Sequence, residues 1–306
     1  MSTMFDIIVP TYNNCGELKA CLDGFSRQTY TSFRVFVCVD GSTDETVTWL
    51  REQTFSFPCE VLEHNDKQNH GRNATRNLAL PHLTAPLLCF VDSDLVPDPD
   101  LLERHADVLT ALDCVSVGDV VYTDAGTNIW AEYSQSRGKN KYPDGARIPY
   151  YYLATGNAAH RTKYFLALGG QDASMSRYGG GDTEYALRLH AHARLPVVFT
   201  ASARCTGRMN RTLEHALALF EECGRTNLRI IHLRHPQEDR VFYLWRLTGS
   251  RLSDRIFRGC LQPMIAQTLQ RIAPYMPREL AIVCINYCII TRLWMGWNSA
   301  AEDIAS

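Results

Sequence analysis

The chain has 306 residues and a formal net charge of −2, from 31 Lys+Arg against 33 Asp+Glu; apolar, aromatic and charged residues make up 45%, 10% and 21%. That length suffices for one large α/β domain or a domain with an appendage, and the near-neutral balance gives no electrostatic case for a nucleic-acid partner. Eleven cysteines, an odd number without a Cys-x-x-Cys pair, argue against a zinc site or disulfide framework and fit a reducing compartment.

The N-terminus lacks the basic flank and apolar core of a signal peptide, so a cytoplasmic location is expected. No run reaches the roughly 20 apolar residues that span a bilayer. The nearest, Ala281 to Ile290, is interrupted by Asn286 and is expected to be buried or interfacial. Cys38 and Cys89 lie inside apolar runs and read as buried thiols.

Phe5 to Val9 predicts a first strand, stopped by Pro10; Leu18, Cys21, Leu22 and Phe25 then recur at helical spacing. Phe33 to Val39 predicts a second strand buried on both faces. It ends in Asp40-Gly41-Ser42-Thr43-Asp44-Glu45, where Ser42 and Glu45 have capping-box spacing for the next helix. A third strand is expected at Cys59 to Leu62, then a polar loop from His64 to His70. Gly71 opens a short helix through Arg76 to Leu80, and Pro86 to Val91 predicts a fourth strand. Such alternation implies a mostly parallel sheet with helices on both faces, and ligands of open parallel sheets bind beyond the strands' carboxyl ends. Thr11 and Tyr12, Asp40 to Asp44, and Asp92 to Asp94 therefore converge on one edge.

If the fourth strand continues through Asp92-Ser93-Asp94, the period of two points both acids the same way. Two carboxylates on one face repel each other unless a cation sits between them, and oxygen ligands suit Mg²⁺ or Mn²⁺. Asp is also common in turns, and a cap on the helix starting near Pro99 is the plainer alternative.

Asp100 to Leu112 predicts a helix and Cys114 to Tyr122 a strand. Thr123 to Gly145 is expected as a loop over the site, Tyr150 to Leu153 as a strand leading to Thr155-Gly156-Asn157, and Thr162 to Leu168 as a brief helix ended by Gly169-Gly170. Three glycines, Gly179 to Gly181, allow a tight bend and close approach to a ligand just before Asp182 opens a helix. An acid at a helix start is also favoured by the dipole alone.

From Thr212 onward helices are expected at Leu213 to Leu233, Arg240 to Leu247, Ile256 to Ile272 and Arg278 to Trp297. Arg246, Arg251, Arg255, Arg258 and Arg292, with Trp245, Trp294 and Trp297, give them a basic-aromatic character compatible with peripheral association at the inner face of a membrane. Packing on the main domain is the commoner outcome.

Five pieces now stand in order: Ile8-Val9-Pro10-Thr11-Tyr12-Asn13; Val39-Asp40-Gly41-Ser42-Thr43-Asp44; Gly71 with Ala74, Arg76 and Asn77; Val91-Asp92-Ser93-Asp94; and Gly181-Asp182-Thr183-Glu184 with Arg188. Together they resemble the family 2 glycosyltransferases of GT-A fold, over about residues 4–208. The resemblance implies that Pro10, Thr11, Tyr12 and Asp40 line a nucleoside pocket, with Asp40 accepting from the base. It places Arg76 near the diphosphate or base, Asp92 at the ribose, Ser93 among the donor-binding residues, and Asp94, with Asp92, at a divalent metal (Mn²⁺ or Mg²⁺). Asp182 becomes the general base, with Glu184 as fallback; Asn157, Gly180 and Glu184 fall on the acceptor side. Three positions depart from the family pattern. Val39 replaces a first Asp, Gly181 replaces a Glu before the base, and Ser202-Ala203-Arg204-Cys205 occupies the region of a metal-completing His.

The chemistry matches these residue types. A metal neutralises a diphosphate leaving group, a carboxylate activates the acceptor hydroxyl, and one carboxylate suffices for a single inverting displacement. The expectation is an inverting glycosyltransferase of polysaccharide or glycoconjugate biosynthesis. Its donor is a nucleotide-diphospho-sugar, first of all a uridine one, and its acceptor a saccharide or lipid-linked saccharide. Residues 1–210 form the GT-A domain, with nucleotide-sugar and acceptor halves at 1–112 and 113–210, and residues 211–306 a helical extension. The alternatives are a nucleotidyltransferase, whose glycine-rich basic loop is absent at Pro10-Thr11-Tyr12-Asn13, and a non-catalytic sugar-nucleotide-binding protein.

Overall fold

Every residue of β1 (Phe5–Thr11) is buried, as its largely apolar run requires of a strand covered on both faces. The computed structural model describes residues 3–238 and 241–305. After β1 come α1 (Cys15–Ser26), β2 (Phe33–Val39), α2 (Thr46–Glu52), β3 (Cys59–Glu63), α3 (Arg72–Asn77) and β4 (Leu87–Val91). β3, β2, β1 and β4 lie side by side in that order, all parallel. The chain order reverses between β1 and β4, so a topological switch point lies at their carboxyl ends, where open α/β sheets bind ligands.

The next elements are β5 (Leu95–Pro97), α4 (Leu101–Ala111), β6 (Val115–Tyr122), α5 (Ile129–Gln135), β7 (Arg147–Ile148), β8 (Asn157–Arg161), α6 (Thr162–Ala167), α7 (Gly181–Ala193) and β9 (Val197–Gly207). β8 enters antiparallel between β4 and β6, β6 runs parallel to β9, and β5 and β7 add antiparallel to β9. The sheet's two faces carry separate cores. Phe5, Ile7 and Val9 point to one, with Leu18, Leu22 and Phe25 of α1 and Leu101, Leu102 and Leu109 of α4. Ile8 points to the other, with Phe36, Phe90, Phe165, Tyr185 and Leu189. Asp6 shares that second face because Arg34 Nε, at 2.6 Å, and the N–H groups of Thr84 and Ala85, at 2.7 and 2.9 Å, satisfy its carboxylate.

Two compact units result. One comprises Met1–Thr123, Gln135–Ser176 and Tyr185–Arg208, the other Asp124–Ser134, Arg177–Glu184 and Met209–Ser306. The second contains α8 (Leu213–Arg225), α9 (Asn227–Arg234), α10 (Leu244–Leu247), α11 (Leu252–Gly259), α12 (Pro263–Ile272) and α13 (Arg278–Ala305). Its core joins Trp130 and Tyr133 to Leu213, Leu217, Ala266, Ile285 and Cys288.

Several sequence expectations change. The segment Thr123 to Gly145 contains α5 and a 3₁₀ turn at Gly138–Lys141, because Trp130, Ala131 and Tyr133 are buried. Tyr150 to Leu153 is not a strand but a 3₁₀ turn; the strand is β8, whose Asn-Ala-Ala-His-Arg carries no apolar alternation. Ser202 to Cys205 lies inside β9. The expected helix Leu213 to Leu233 breaks at Thr226, and the expected helix start at Arg240 lies outside the described residues. α13 is 28 residues long, and its stretch Arg278–Ser299 is long and apolar enough to cross a membrane by length and composition. Counting uninterrupted apolar residues missed this because isolated polar residues such as Asn286 punctuate the helix. Tyr133 Oη donates to Asn286 Oδ1 at 2.6 Å within the unit's interior.

Two fully buried histidines lie in the first unit. His105 donates from Nε2 to Asn157 Oδ1 at 2.9 Å and accepts at Nδ1 from Ser116 Oγ at 2.8 Å, a tautomer set by the amide's other bonds. His160 Nδ1 donates to the Arg161 carbonyl at 2.9 Å, and Nε2 accepts from Tyr185 Oη at 2.8 Å. Burial pushes both down to about 4 from 6.5. A depressed histidine takes up protons in the unfolded chain before the folded one. Its stabilisation is therefore complete above pH 6.5 and falls as pH drops from 6.5 towards 4, by about 3 kcal/mol per histidine. Urea midpoints measured from pH 8 to 4 should fall over that window. A flat profile between 6.5 and 4.5 would contradict the burial of both rings in neutral form.

Candidate active site

The loops after β1, β2 and β4 are tied together by side chains of their own. Thr11 donates to Asn14 Oδ1, and Asn14 Nδ2 donates to Ser93 Oγ at 2.7 Å, which joins the ends of β1 and β4. Asn13 Oδ1 accepts the Thr43 N–H at 2.7 Å and the Asn13 N–H donates to Ser42 Oγ at 3.1 Å, which joins the ends of β1 and β2. Pro10 and Thr11 are buried beneath this surface, whereas Tyr12 stands 49% exposed at its rim. The capping box expected from Ser42 and Glu45 does not form: neither side chain caps α2, and Asp44 accepts the N–H groups of Thr46 and Cys15 instead, at 3.1 and 3.2 Å. Burial opposes ionisation of Asp44, but these bonds outweigh it and lower its pKa.

Asp40 is 5% exposed. Its two oxygens accept the N–H groups of His70 and Gly71 at 2.7 and 3.1 Å, with His64 Nε2 at 3.5 Å. Each carboxylate oxygen keeps a second acceptor direction, so Asp40 can still receive a hydrogen bond from a base. Gly71 is required where it stands. Its φ is +87°, and a Cβ there would sit 2.5 Å from the Ser176 carbonyl oxygen. Partial burial and the neighbouring His70 hold His64 below its ordinary pKa, which favours a neutral ring beside Asp40.

The acids after β4 do not follow strand alternation. β4 ends at Val91, and the Leu95 N–H returns to the Asp92 carbonyl at 3.1 Å, closing a turn. Asp94 is exposed on that turn, while Ser93 is buried against Asn14. Asp92 faces inward, with Oδ1 2.7 Å from Arg76 Nη2 and Oδ2 3.5 Å from Arg72 Nη1. Arg76 is 1% exposed and also donates to Gln171 Oε1 at 3.2 Å and the Thr155 carbonyl at 3.4 Å. Arg76, expected near the diphosphate or base, is thus a buried side chain that holds Asp92. A carboxylate held by two guanidiniums is a poor ligand for a cation, which corrects Asp92 as a metal ligand. Asp94, exposed on the turn, carries hard carboxylate oxygens of the kind that suits Mg²⁺ or Mn²⁺. Among the described residues no group of three or more His, Cys, Asp and Glu could hold a metal.

Asp182, partly exposed, lies in the first turn of α7. The loop before it turns through Gly179 and Gly180, both at positive φ, and Asn227 Nδ2 clasps it by donating to the carbonyls of Arg177 and Gly179 at 2.8 and 2.7 Å. Glu184 is 1% exposed, with His235 Nε2 at 3.4 Å from its carboxylate. That burial removes it from contact with an acceptor and from the role of fallback base. Asn157 is likewise corrected. It is 1% exposed, receives His105 at Oδ1, and donates through Nδ2 to the carbonyls of Asp119 and Ala203 at 2.8 and 3.0 Å. It joins β6, β8 and β9 and has no face left for an acceptor.

Sequence reasoning missed Asn14, Arg72 and Asn227. Asn14 and Arg72 sit beside motif residues that were identified, and adjacency to Tyr12-Asn13 and to Gly71 was the available signal. Asn227 reaches the glycine loop from far along the chain and left no local signal.

Residues 6–166 match the family model of glycosyl transferase family 2. Glycosyltransferase GlyA of Streptococcus pneumoniae is 35% identical over 97 residues, 32% of this chain and 14% of that protein. Glycosyltransferase AglE of Haloferax volcanii is 28% identical over 127 residues, 40% and 41% of the two chains. The chain thus spans less than half the length of these relatives. A glucosyl-dolichyl phosphate glucuronosyltransferase of H. volcanii is 23% identical over 292 residues, 88% of this chain and 91% of that one. Among solved structures, a mannosyltransferase from Pyrobaculum calidifontis in complex with GDP-Man and Mn²⁺ has a TM-score of 0.60 at 17% identity, covering 97% of this chain and 88% of that one. TarS from S. aureus in complex with UDP has a TM-score of 0.55 at 15% identity, with 98% and 92% covered. These structures share the α/β fold of GT-A type. The family match takes in more than half of the residues, and the chain belongs to glycosyl transferase family 2.

Proposed function

We propose that the chain is an inverting glycosyltransferase that moves a sugar from a nucleotide-diphospho-sugar to a hydroxyl of a saccharide or lipid-linked saccharide. The observation that carries this reading is the placement of Asp40 and of the Asp92–Asp94 turn at the carboxyl ends of the parallel strands β2 and β4, on either side of β1, in a member of this family. UDP and UDP-GlcNAc bound to TarS support a uridine donor, and GDP-Man bound to the Pyrobaculum enzyme is the alternative that the same assay reads. Residues 1–210 would carry the transfer, with residues 211–306 as a helical extension.

In this mechanism Asp40 accepts from the base while Tyr12 covers the nucleoside. Asp92, oriented by Arg76, accepts from the ribose hydroxyls. Asp94 would hold a divalent cation, which would supply neutralisation of charge on the leaving diphosphate. Asp182 takes the proton of the acceptor hydroxyl as its oxygen attacks the anomeric carbon. The bond from that carbon to the diphosphate oxygen breaks with inversion, and nucleoside diphosphate leaves.

The test is a product assay over a panel of UDP- and GDP-sugars and acceptors with Mn²⁺. Release of nucleoside diphosphate is expected. Pyrophosphate release, or donor binding without turnover on every acceptor, would overturn the reading. Asp94→Ala should raise the Mn²⁺ concentration needed for half-maximal rate by about 10–100-fold. An unchanged Mn²⁺ requirement would remove Asp94 from the metal.

A further inference from the structure

Among the described residues fourteen large apolar side chains are exposed, and all but Tyr12, Tyr151, Leu166 and Leu233 lie between Tyr243 and Val283. Soluble surfaces scatter such side chains singly, and concentration in one stretch marks an interaction surface. They follow helical spacing. Leu252 and Ile256 lie one turn apart on α11, Met264 and Ile265 begin α12, and Leu280 and Val283 begin α13. These helices have a different inner face: Asp254, Ala266, Ala281 and Ile285 are each 2% exposed or less. The apolar outer faces therefore belong to folded helices already packed on their other side.

Charge indicates the occupant. Between Val241 and Leu280 lie six arginines, Asp254 and Glu279; Arg246 pairs with Asp254, and Arg278 pairs with Glu132 of α5 at 3.3 Å, so the basic excess rests on Arg251, Arg255, Arg258 and Arg271. Asp254 is buried against Arg246 at 3.3 Å and projects no charge outward. Arg251 and Arg255 are exposed beside Leu252 and Ile256, and Arg271 is exposed beside Ile272. A second copy of the same surface would bring like charges face to face. An anionic bilayer satisfies both features at once, with phosphates for the arginines and acyl chains for the apolar side chains.

We propose that α11, α12 and the first turns of α13 form a docking surface for an anionic lipid bilayer, lying in the plane of its headgroups. α13 does not leave the unit to span the bilayer, despite its length and composition. Cys288 and Leu293 are 0% and 1% exposed, and Arg292 pairs with Glu221 of α8 at 2.8 Å. Spanning would break that pair and strip the helix from its core. The surface belongs to the second unit alone, so its docking stands or falls separately from the transferase reading.

The experiment is flotation of the full chain with vesicles of phosphatidylcholine alone or mixed with phosphatidylglycerol, without donor or acceptor. Binding to the mixed vesicles, reduced by salt, is expected. Arg251→Gln with Arg255→Gln should weaken it about thirtyfold. Met264→Ser with Ile265→Ser should weaken it further at high salt. All four side chains are exposed, so an unchanged thermal midpoint in both variants confirms that folding is intact. Equal affinity for both vesicle types, or no flotation, overturns the proposal. So does a concentration-dependent dimer abolished by the serine pair in the absence of lipid. Retention on membranes through an alkaline carbonate wash overturns the in-plane arrangement.

Discussion

Asp182→Asn is expected to lower the rate of sugar transfer by about 10²–10⁴-fold while leaving donor affinity nearly unchanged. Asparagine keeps the size and the hydrogen-bonding oxygen of the side chain but cannot take up a proton. If Asp182 is the base, the loss falls on kcat. The limb of the pH–rate profile that reports ionisation of the base should disappear with it. Asp182 is partly exposed on the first turn of α7, so the near-isosteric change leaves the core of the fold intact. Glu184 serves as the internal control. It is buried against His235, so Glu184→Gln should change stability more than the chemical step. The measurements are steady-state kinetics with the best donor and a thermal-shift titration of its nucleoside diphosphate. Transfer at the wild-type rate in Asp182→Asn would end its candidacy.

Arg76→Met carries the second large effect, on stability and donor binding together. Arg76 is fully buried, and its acceptors include Asp92, Gln171 and the Thr155 carbonyl. Methionine fills much of the volume but leaves Asp92 without its buried partner, and breaking such a pair costs about 3–5 kcal/mol. Arg72, 3.5 Å from the other Asp92 oxygen, offsets part of the charge, so the lower end of that range is expected. The urea midpoint should drop accordingly, and nucleoside diphosphate should bind more weakly because Asp92 loses its orientation. Arg76→Lys keeps the charge but not the fork of donors, and should recover only part of both losses. The double change Arg76→Met with Asp92→Asn separates charge from packing: it should be more stable than Arg76→Met alone. If it is no more stable, the cost lies in packing and the ion pair contributes little.

The parallel half of the sheet was readable in the chain because β1, β2 and β4 are nearly continuous apolar runs, long enough for a strand and too short for a helix. The acids at their ends were readable for a related reason, since polar residues that abruptly end a buried strand emerge at its carboxyl edge. What those acids touch was not readable. Asp92 and Asp94 looked equivalent as two carboxylates one residue apart, but a turn sets them in different surroundings, one against two arginines and one exposed. Arg76 looked like a ligand contact and is a buried support for Asp92. Asn157 looked like an acceptor contact after a glycine, yet its partners, His105, Asp119 and Ala203, lie far from it in sequence. The same distance hides β8, whose burial comes from its place between β4 and β6 and not from its own side chains.

Local sequence by itself determined the alternation of strands and helices, the order of the acidic motifs and the basic-aromatic character of the C-terminal helices. Each of these depends on spacing within a few residues, which backbone geometry converts directly into a face or an end. Tertiary structure alone decided which polar groups are consumed in holding the fold and which remain able to meet a ligand. It buried Glu184 and Asn157, gave Asp92 to Arg76, and left Asp94 and Tyr12 exposed. It also decided that the outer faces of α11 and α12 stay uncovered. The physical reason is common to all of these. A buried polar or charged group must find partners, an apolar face must find cover, and neighbours far away in sequence provide them or leave them wanting.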